Sequence, residues 1–431
     1  MRFLILVIST SFFLNAFAGD EDIFNKIMFP LMKHISFLIN AKNPSSVQLR
    51  KINRKIETAF GDKSIQKILK KDRPYGRRPL NRFRGVNQSL ARSMSFKEKK
   101  NWIKYNFNSR RGFKKELSLL QIFRNTKGQD LFCLKQSIDN SESRNNMYQL
   151  IFDKVNDDLM RNLILFHFRF EAEKNKSKWI TIPVSDLDDT AYNSFKDKRW
   201  PRRGLYPGFI TTLETVIGSN RITTKMEIRD CTPGAVFLTG RGENFGRTLI
   251  PKLTKKGITV KKTVLFGSFP SMIATGFSNK PMADKKVKRM IGYSKIFPEK
   301  KYIMFGDNGQ LDSRAYRKIT KFTDRDNALV GYINNIRDDS YRNKINEWDF
   351  RGNKLIRVLD SYPQMVLDMY NSGFLTNKKK VKEALRKQVR EIKLYSRDPK
   401  YIKKGGMRDY LLEGIKLYCK KIAHSKRDVC P

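Results

Sequence analysis

Residues 179–190 read Trp-Ile-Thr-Ile-Pro-Val-Ser-Asp-Leu-Asp-Asp-Thr, a short apolar, β-branched run that ends in three carboxylates within four residues. The run predicts a buried strand over Trp179–Val184, because β-branched side chains bounded by polar residues fit a pleated, covered surface. Carboxylates crowded at the end of such a strand repel one another and lose hydration. Asp186, Asp188 and Asp189 therefore call for a cation beside them. Mg²⁺ is the simplest choice, a hard ion that takes carboxylate oxygens.

Five further runs of this kind follow, at Ala235–Thr239, Thr263–Phe266, Tyr302–Phe305, Ala328–Ile333 and Leu355–Leu359. Helical patterns lie between them at Arg247–Lys255, Ala283–Ile296, Ser313–Phe322 and Tyr362–Gly373. Alternation of this sort predicts an α/β domain with a Rossmann-like parallel sheet covered on both faces. Ligands of such sheets bind beyond the carboxyl ends of the strands, so the residues just after each run are the candidates. The second run ends in Thr239-Gly240-Arg241-Gly242. Its hydroxyl, its glycine-rich backbone and the helix that follows suit phosphate oxygens. Lys285 and Lys286 open the helix before the fourth run, which itself ends in Gly306-Asp307-Asn308-Gly309-Gln310-Leu311-Asp312. Two more carboxylates thus return to the same edge. Each piece alone is common, and an Asp-x-Asp-x-Thr often marks a turn or a helix cap. Four pieces in one order, each at a strand end or helix start, point to a phosphate-handling site.

This order resembles the haloacid-dehalogenase-like phosphotransferases, whose signature runs Asp-x-Asp-x-Thr, Thr or Ser, Lys, then Gly-Asp-x-x-x-x-Asp. A closer likeness is to the catalytic domain of the actin-patch-associated phosphatidate phosphatase family. It is carried by SDLDDT (185–190), YPGF (206–209), IFPEKKYIMFGDNGQLD (296–312), YINNIRDDSY (332–341) and IRVLDSYPQMVLDMYNSGFL (356–375). The resemblance spans about 180–376 and implies a Mg²⁺-dependent phosphomonoester hydrolase acting through an aspartyl-phosphate. Asp186 would be the nucleophile and Asp188 the acid/base. Thr239 and Lys286 would hold the transferring phosphoryl group, with Thr190, Gly240 and Arg241 at the substrate. Asp186, the backbone carbonyl of Asp188, and Asp307 would hold Mg²⁺, while Asp312 would orient Lys286 or the metal's surroundings. The implied substrate is phosphatidate or a related phospholipid. The chain departs from the family at Thr239–Phe245, where a Ser-Pro-Trp-type sequence is usual. Arg241 there would read an extra anionic group or sit at the surface. Residues 191–232 are too few for a large cap, so a small cap over an open site is expected, with Trp200-Pro201-Arg202-Arg203 at a turn or a membrane-facing corner.

The rest of the chain is basic. Its 431 residues hold 88 Lys and Arg against 42 Asp and Glu, a net charge of +46, which favours anionic partners of any kind. Hydrophobic residues at 39% and aromatics at 12% exclude wholesale disorder, and the length suggests two domains. Residues 1–18 read as a signal peptide, with Arg2, the apolar run Phe3–Leu14 and Ala16-Phe17-Ala18. A secreted or periplasmic protein follows, with no second segment apolar enough to span a bilayer. Residues 19–175 are expected to be mainly helical, from Ile23, Ile27, Leu31 and Ile35 and from Val47, Ile52, Ile56 and Phe60. Arg73–Lys115 holds fourteen Lys or Arg and one acid, with Tyr75, Phe83, Phe96, Trp102, Tyr105, Phe107 and Phe113 interleaved. That composition suits a nucleic-acid groove, an anionic membrane surface, or simply a solvated basic face.

After the phosphatase-like region, 176–376, comes a basic helical extension, 377–431. Val381, Leu385, Val389 and Ile392 form an apolar stripe there that packs on its own domain or lies on an anionic membrane. Cys133, Cys231, Cys419 and Cys430 allow three pairings, of which Cys419–Cys430 is the local one, and their spacing is not that of a zinc site. Three readings of function follow: a phospholipid phosphatase, a phosphatase of a soluble or polymeric phosphomonoester, and a basic nucleic-acid- or envelope-binding protein with a relic phosphatase domain.

Overall fold

The computed structural model describes residues 26–40, 45–61, 63, 86, 88–106, 112–139, 146–175, 180–194, 197, 202–219, 231–242, 246–267, 279–308, 312–322, 328–336, 356–395, 407–421 and 428–430. Residues 1–18, read above as a leader, lie outside them, as do Trp200-Pro201, Gly309-Gln310-Leu311, His424 and, within the basic stretch Arg73–Lys115, residues 73–85, 87 and 107–111. The chain divides into two compact units, one within 1–138, 147–177 and 295–298, the other within 139–146, 178–294 and 299–431. No described helix is long and apolar enough to cross a membrane.

The first unit is helical. Beyond a helix over 26–40 it contains α1 (Ser46–Gly61), α2 (Gln88–Ser93), α3 (Phe96–Asn106), α4 (Phe113–Arg124), α5 (Gly128–Asp139) and α6 (Asp158–Lys174). The predicted stripe is the buried one: Ile52, Ile56 and Phe60 of α1 are core, whereas Val47 is exposed. The start of α6 is fixed twice. Asp157 accepts the backbone N–H of Met160 at 2.9 Å, and the buried Glu116 accepts those of Asn156 and Asp157 at 2.9 and 3.0 Å. Each carboxylate thereby satisfies donors that a helix start leaves unpaired. In the basic stretch, Trp102 belongs to this core, Phe96 and Phe113 are half-buried and Tyr105 is exposed.

The second unit is α/β, and its six strands are all parallel. They are β1 (Ile180–Asp186), β2 (Ala235–Gly242), β3 (Lys262–Gly267), β4 (Lys300–Asp307), β5 (Ala328–Asn334) and β6 (Ile356–Leu359), in the spatial order β3-β2-β1-β4-β5-β6. Every expected run is a strand, and β1 and β4 run on to include Asp186 and Asp307. The helices are α7 (Phe209–Gly218), α8 (Gly246–Lys255), α9 (Asn279–Ile296), α10 (Asp312–Phe322), α11 (Tyr362–Asn371), α12 (Lys378–Tyr395) and α13 (Met407–Lys421). Consecutive residues such as Met304 and Phe305 are both buried, so both faces of the sheet are covered. That is why these strands read as continuous apolar runs. This order is the Rossmann-like one, and it reverses between β1 and β4, which opens a crevice beyond their carboxyl ends.

Of residues 191–232, expected to form a small cap, 191–194, 197, 202–219 and 231–232 are described. They include α7, whose Phe209, Leu213 and Val216 are buried in the sheet unit's core. Apolar side chains on one helix face are better covered by the sheet than left over an open site. The loop before α7 is pinned by single bridges of Tyr192 to Asp188 and to Leu205. Gly208 starts α7 with φ +83°, a conformation glycine adopts without penalty, and its N–H donates to Glu391 at 2.7 Å. Glu391 belongs to α12, whose stripe Val381, Leu385 and Ile392 is buried in the same core. The C-terminal extension therefore packs on its own domain, and Cys419 and Cys430 are joined by a disulfide.

Candidate active site

Parallel pairing sets the level of the reactive residues. Asp186 pairs with Leu238, one residue before Thr239, and Ser185 pairs with Phe305, two before Asp307. The ends of β1, β2 and β4 thus emerge together at the crevice. Asp312, the first residue of α10, returns to the same place because Gly306 lacks a side chain. A Cβ at Gly306 would lie 2.7 Å from the Asp312 Cβ and 2.8 Å from the Tyr316 ring.

Lys286 of α9 reaches in from the side. Its buried ammonium lies 2.9 Å from Asp186 Oδ1 and 2.7 Å from Asp312 Oδ1. Asp312 Oδ2 accepts the backbone N–H of Asp307 at 3.4 Å. Asp186, Asp307 and Asp312 each present a carboxylate oxygen, all within 4.8 Å of one another. Three buried carboxylates face one ammonium, so negative charge is in excess. Burial pushes the Asp186 carboxyl well above its ordinary range; Lys286 opposes this, and Asp312 and Asp188 reinforce it. Asp307 is raised in the same way by burial, Asp312 and Asp186. Burial works against the Lys286 ammonium, but Asp186 and Asp312 outweigh it and hold it charged.

Among the carboxylates of this cluster, Asp186 keeps a buried oxygen, Oδ2, with no hydrogen-bond partner. A buried carboxylate oxygen left alone costs free energy that a ligand or ion recovers. The excess of negative charge and the all-oxygen donor set fit a hard divalent cation. A metal ion is thus compatible with Asp186, Asp307 and Asp312.

Asp188 is placed differently. Its side chain faces Arg241 of β2, which donates from Nε to Oδ2 at 3.1 Å and from Nη2 to Oδ1 at 2.5 Å. Ser194 Oγ also donates to Oδ1 at 2.6 Å. Arg241, expected to read an anion or to sit at the surface, is partly exposed and pairs with a carboxylate of the chain's own, Asp188. Asp188 thus stands outside the group of side chains that can share a metal. Thr190, expected at the substrate, is fully buried. Its hydroxyl is 3.4 Å from Asp307 Oδ2 and its carbonyl accepts from Tyr362 Oη at 2.7 Å, so it ties the loop after β1 to β4 and α11. Thr239 is buried with its hydroxyl accepting the Arg241 N–H at 3.2 Å, and Gly240 is half-buried between them.

Two residues of this site carried no signal, and a third, Asp189, was noticed only as a carboxylate. Ser194 and Tyr362 act through single contacts with no local pattern. Asp189 takes the left-handed conformation, φ +60°, and accepts the Ser194 N–H at 2.8 Å, which turns the chain back toward β1. Asp tolerates that conformation better than most residues, which is the one hint its type offered. No protein-family model, no curated protein and no solved structure matches the chain.

Proposed function

We propose that the protein is a Mg²⁺-dependent phosphomonoester hydrolase of the haloacid-dehalogenase kind, working through an aspartyl-phosphate. The observation that carries this is the convergence of Asp186, Lys286, Asp307 and Asp312 at the sheet's switch point, with Asp186 Oδ2 left unpartnered. An oxygen so placed is free to attack phosphorus. In the first step Asp186 bonds to phosphorus as the bond to the leaving oxygen breaks, and that oxygen takes a proton from Asp188. In the second step water attacks phosphorus, gives its proton to Asp188, and the aspartyl–phosphate bond breaks. Splitting one hard displacement into two is what covalent catalysis achieves. Lys286 and Thr239 hold the phosphoryl oxygens, and alignment with charge stabilisation is most of what phosphoryl transfer needs. Mg²⁺ bound by Asp186, Asp307 and the Asp188 carbonyl would neutralise charge on the transferring group.

The family resemblance extends the reading to phosphatidate or a related phospholipid, met at an anionic membrane surface after export by the leader 1–18. The test is phosphate release from phosphatidate vesicles and from a soluble aryl phosphate, each with Mg²⁺, with EDTA and with Asp186→Asn. Mg²⁺-dependent release that the substitution abolishes supports the hydrolase, and release from vesicles supports the lipid substrate. Release that persists in Asp186→Asn overturns the mechanism.

A further inference from the structure

Asp188 and Arg241 form a pair that the proposed chemistry does not need as it stands. Both oxygens of Asp188 accept from the guanidinium, and Oδ1 accepts from Ser194 as well. A carboxylate gripped at both oxygens has no atom turned to the leaving group. Paired forks of this kind are among the stronger polar contacts, and their planarity makes them specific. To serve as acid/base, Asp188 must have one oxygen released.

Arg241 is built to let go. Its side chain is 39% exposed, while Asp186, Lys286, Asp307 and Asp312 beside it are buried. Nε and Nη2 form the edge of the fork that holds Asp188, and Nη1 makes no hydrogen bond among the described residues. Its backbone is fixed at the end of β2, where its N–H is held by Thr239 Oγ1, so the guanidinium can pivot without moving the strand. Electrostatics favour an anion as the thing that draws it off, since a guanidinium exchanges one oxyanion for another at little cost in hydrogen bonds.

We infer that Arg241 is a specificity-determining residue that selects phosphomonoesters whose leaving group carries a second anionic group, a carboxylate or a phosphodiester. That group takes the guanidinium from Asp188 and so frees the acid/base only when the correct substrate is bound. The inference rests on the hydrolase reading and narrows it. The diacylglycerol released from phosphatidate is neutral and offers Arg241 nothing. A phospholipid whose leaving group retains a phosphodiester, or a small phosphorylated acid, satisfies it.

The experiment uses two matched pairs that differ in the charge of the leaving group. One is soluble, 3-phosphoglycerate against glycerol 3-phosphate; the other is in vesicles, phosphatidylglycerol phosphate against phosphatidate. Affinities are measured by calorimetry with Mg²⁺ in the Asp186→Asn chain, and kcat/KM in the unsubstituted one. The anionic member of at least one pair is expected to be preferred by about 10- to 100-fold, the scale of a hydrogen-bonded charge contact. The pair that shows the preference identifies a soluble or a membrane source. Arg241→Gln brings that ratio close to one, and Arg241→Lys, which keeps the charge without the fork, leaves part of it. A purely structural role would lower both members together and leave the ratio where it was. No preference in either pair, or a preference that survives Arg241→Gln, overturns the inference. Turnover that persists in Asp186→Asn overturns the hydrolase reading instead, so the two failures are told apart.

Discussion

Asp186 and Asp368 are both carboxylates buried in the sheet unit, and they are satisfied in opposite ways. Asp368 of α11 accepts from Tyr332 Oη at 2.6 Å, from Arg357 and from Tyr418. Both its oxygens are used and its charge is matched by one guanidinium. The contacts join β5, β6, α11 and α13. Asp186 shares one ammonium with Asp312, has Asp307 as a further neighbour, and keeps an oxygen with no partner. A buried carboxylate whose needs are all met from within the chain holds the fold together. One that is left short is waiting for something from outside, because the folded chain gains nothing by leaving it so.

The largest effect should separate the two sites by activity. Asp186→Asn is expected to lower phosphate release by at least about 10⁴-fold, or about 5 kcal/mol, because it removes the nucleophile. Asp368→Ala should leave release per folded molecule intact and instead cost about 3 kcal/mol of stability, since Arg357 and two phenols lose their acceptor. Parallel turnover and denaturant-unfolding measurements on the two variants would break the comparison if the losses were exchanged. A smaller effect tests the shortage of cations directly. Mg²⁺ at about 100 times its Kd should stabilise the protein by about 2.7 kcal/mol in thermal unfolding, and Asp307→Asn should remove most of that gain.

The smallest effect lies in the helical unit and supplies a control with no proposed chemistry. His167 of α6 is buried with Nε2 donating to Thr126 O at 3.0 Å, and burial depresses its pKa to about 4. Its folded pKa lies below the unfolded value of about 6.5, so the unfolded chain binds more protons as pH falls through that window. Stability is therefore full above about pH 6.5 and is lost toward pH 4, by about 2 kcal/mol at pH 5. His167→Gln, which keeps a donor for Thr126, should flatten that slope in urea unfolding followed across pH. An unchanged slope would assign the acid sensitivity to other groups.

What was legible in advance follows from the range of the forces involved. The strands could be read because apolar, β-branched runs mark burial on both faces, and Asp186, Thr239 and Asp307 could be placed because strand ends are local features. Lys286 was expected at the opening of its helix, but α9 begins at Asn279 and Lys286 lies within it, so the helix was legible and its start was not. Arg241 was noticed, but its partner was not: Asp188 lies 53 positions away and nothing nearby in the chain marks the pairing. Ser194 and Tyr362 were invisible for the same reason. The packing of α7 was not legible either: length alone does not reveal that its apolar face takes the sheet as its cover.

By itself the amino-acid sequence determined the six strands, the acidic residues that close two of them and the helical stripe of residues 381–392. Each of these depends on residues near one another in the chain. Only the tertiary structure decided that Lys286 bridges Asp186 and Asp312, that Arg241 holds Asp188, that Thr190 turns to Asp307, and that Asp186 keeps one oxygen unpaired. The physical reason is that hydrogen bonds and ion pairs act over a few ångströms in space, and which groups come that close is set by the order of strands in the sheet.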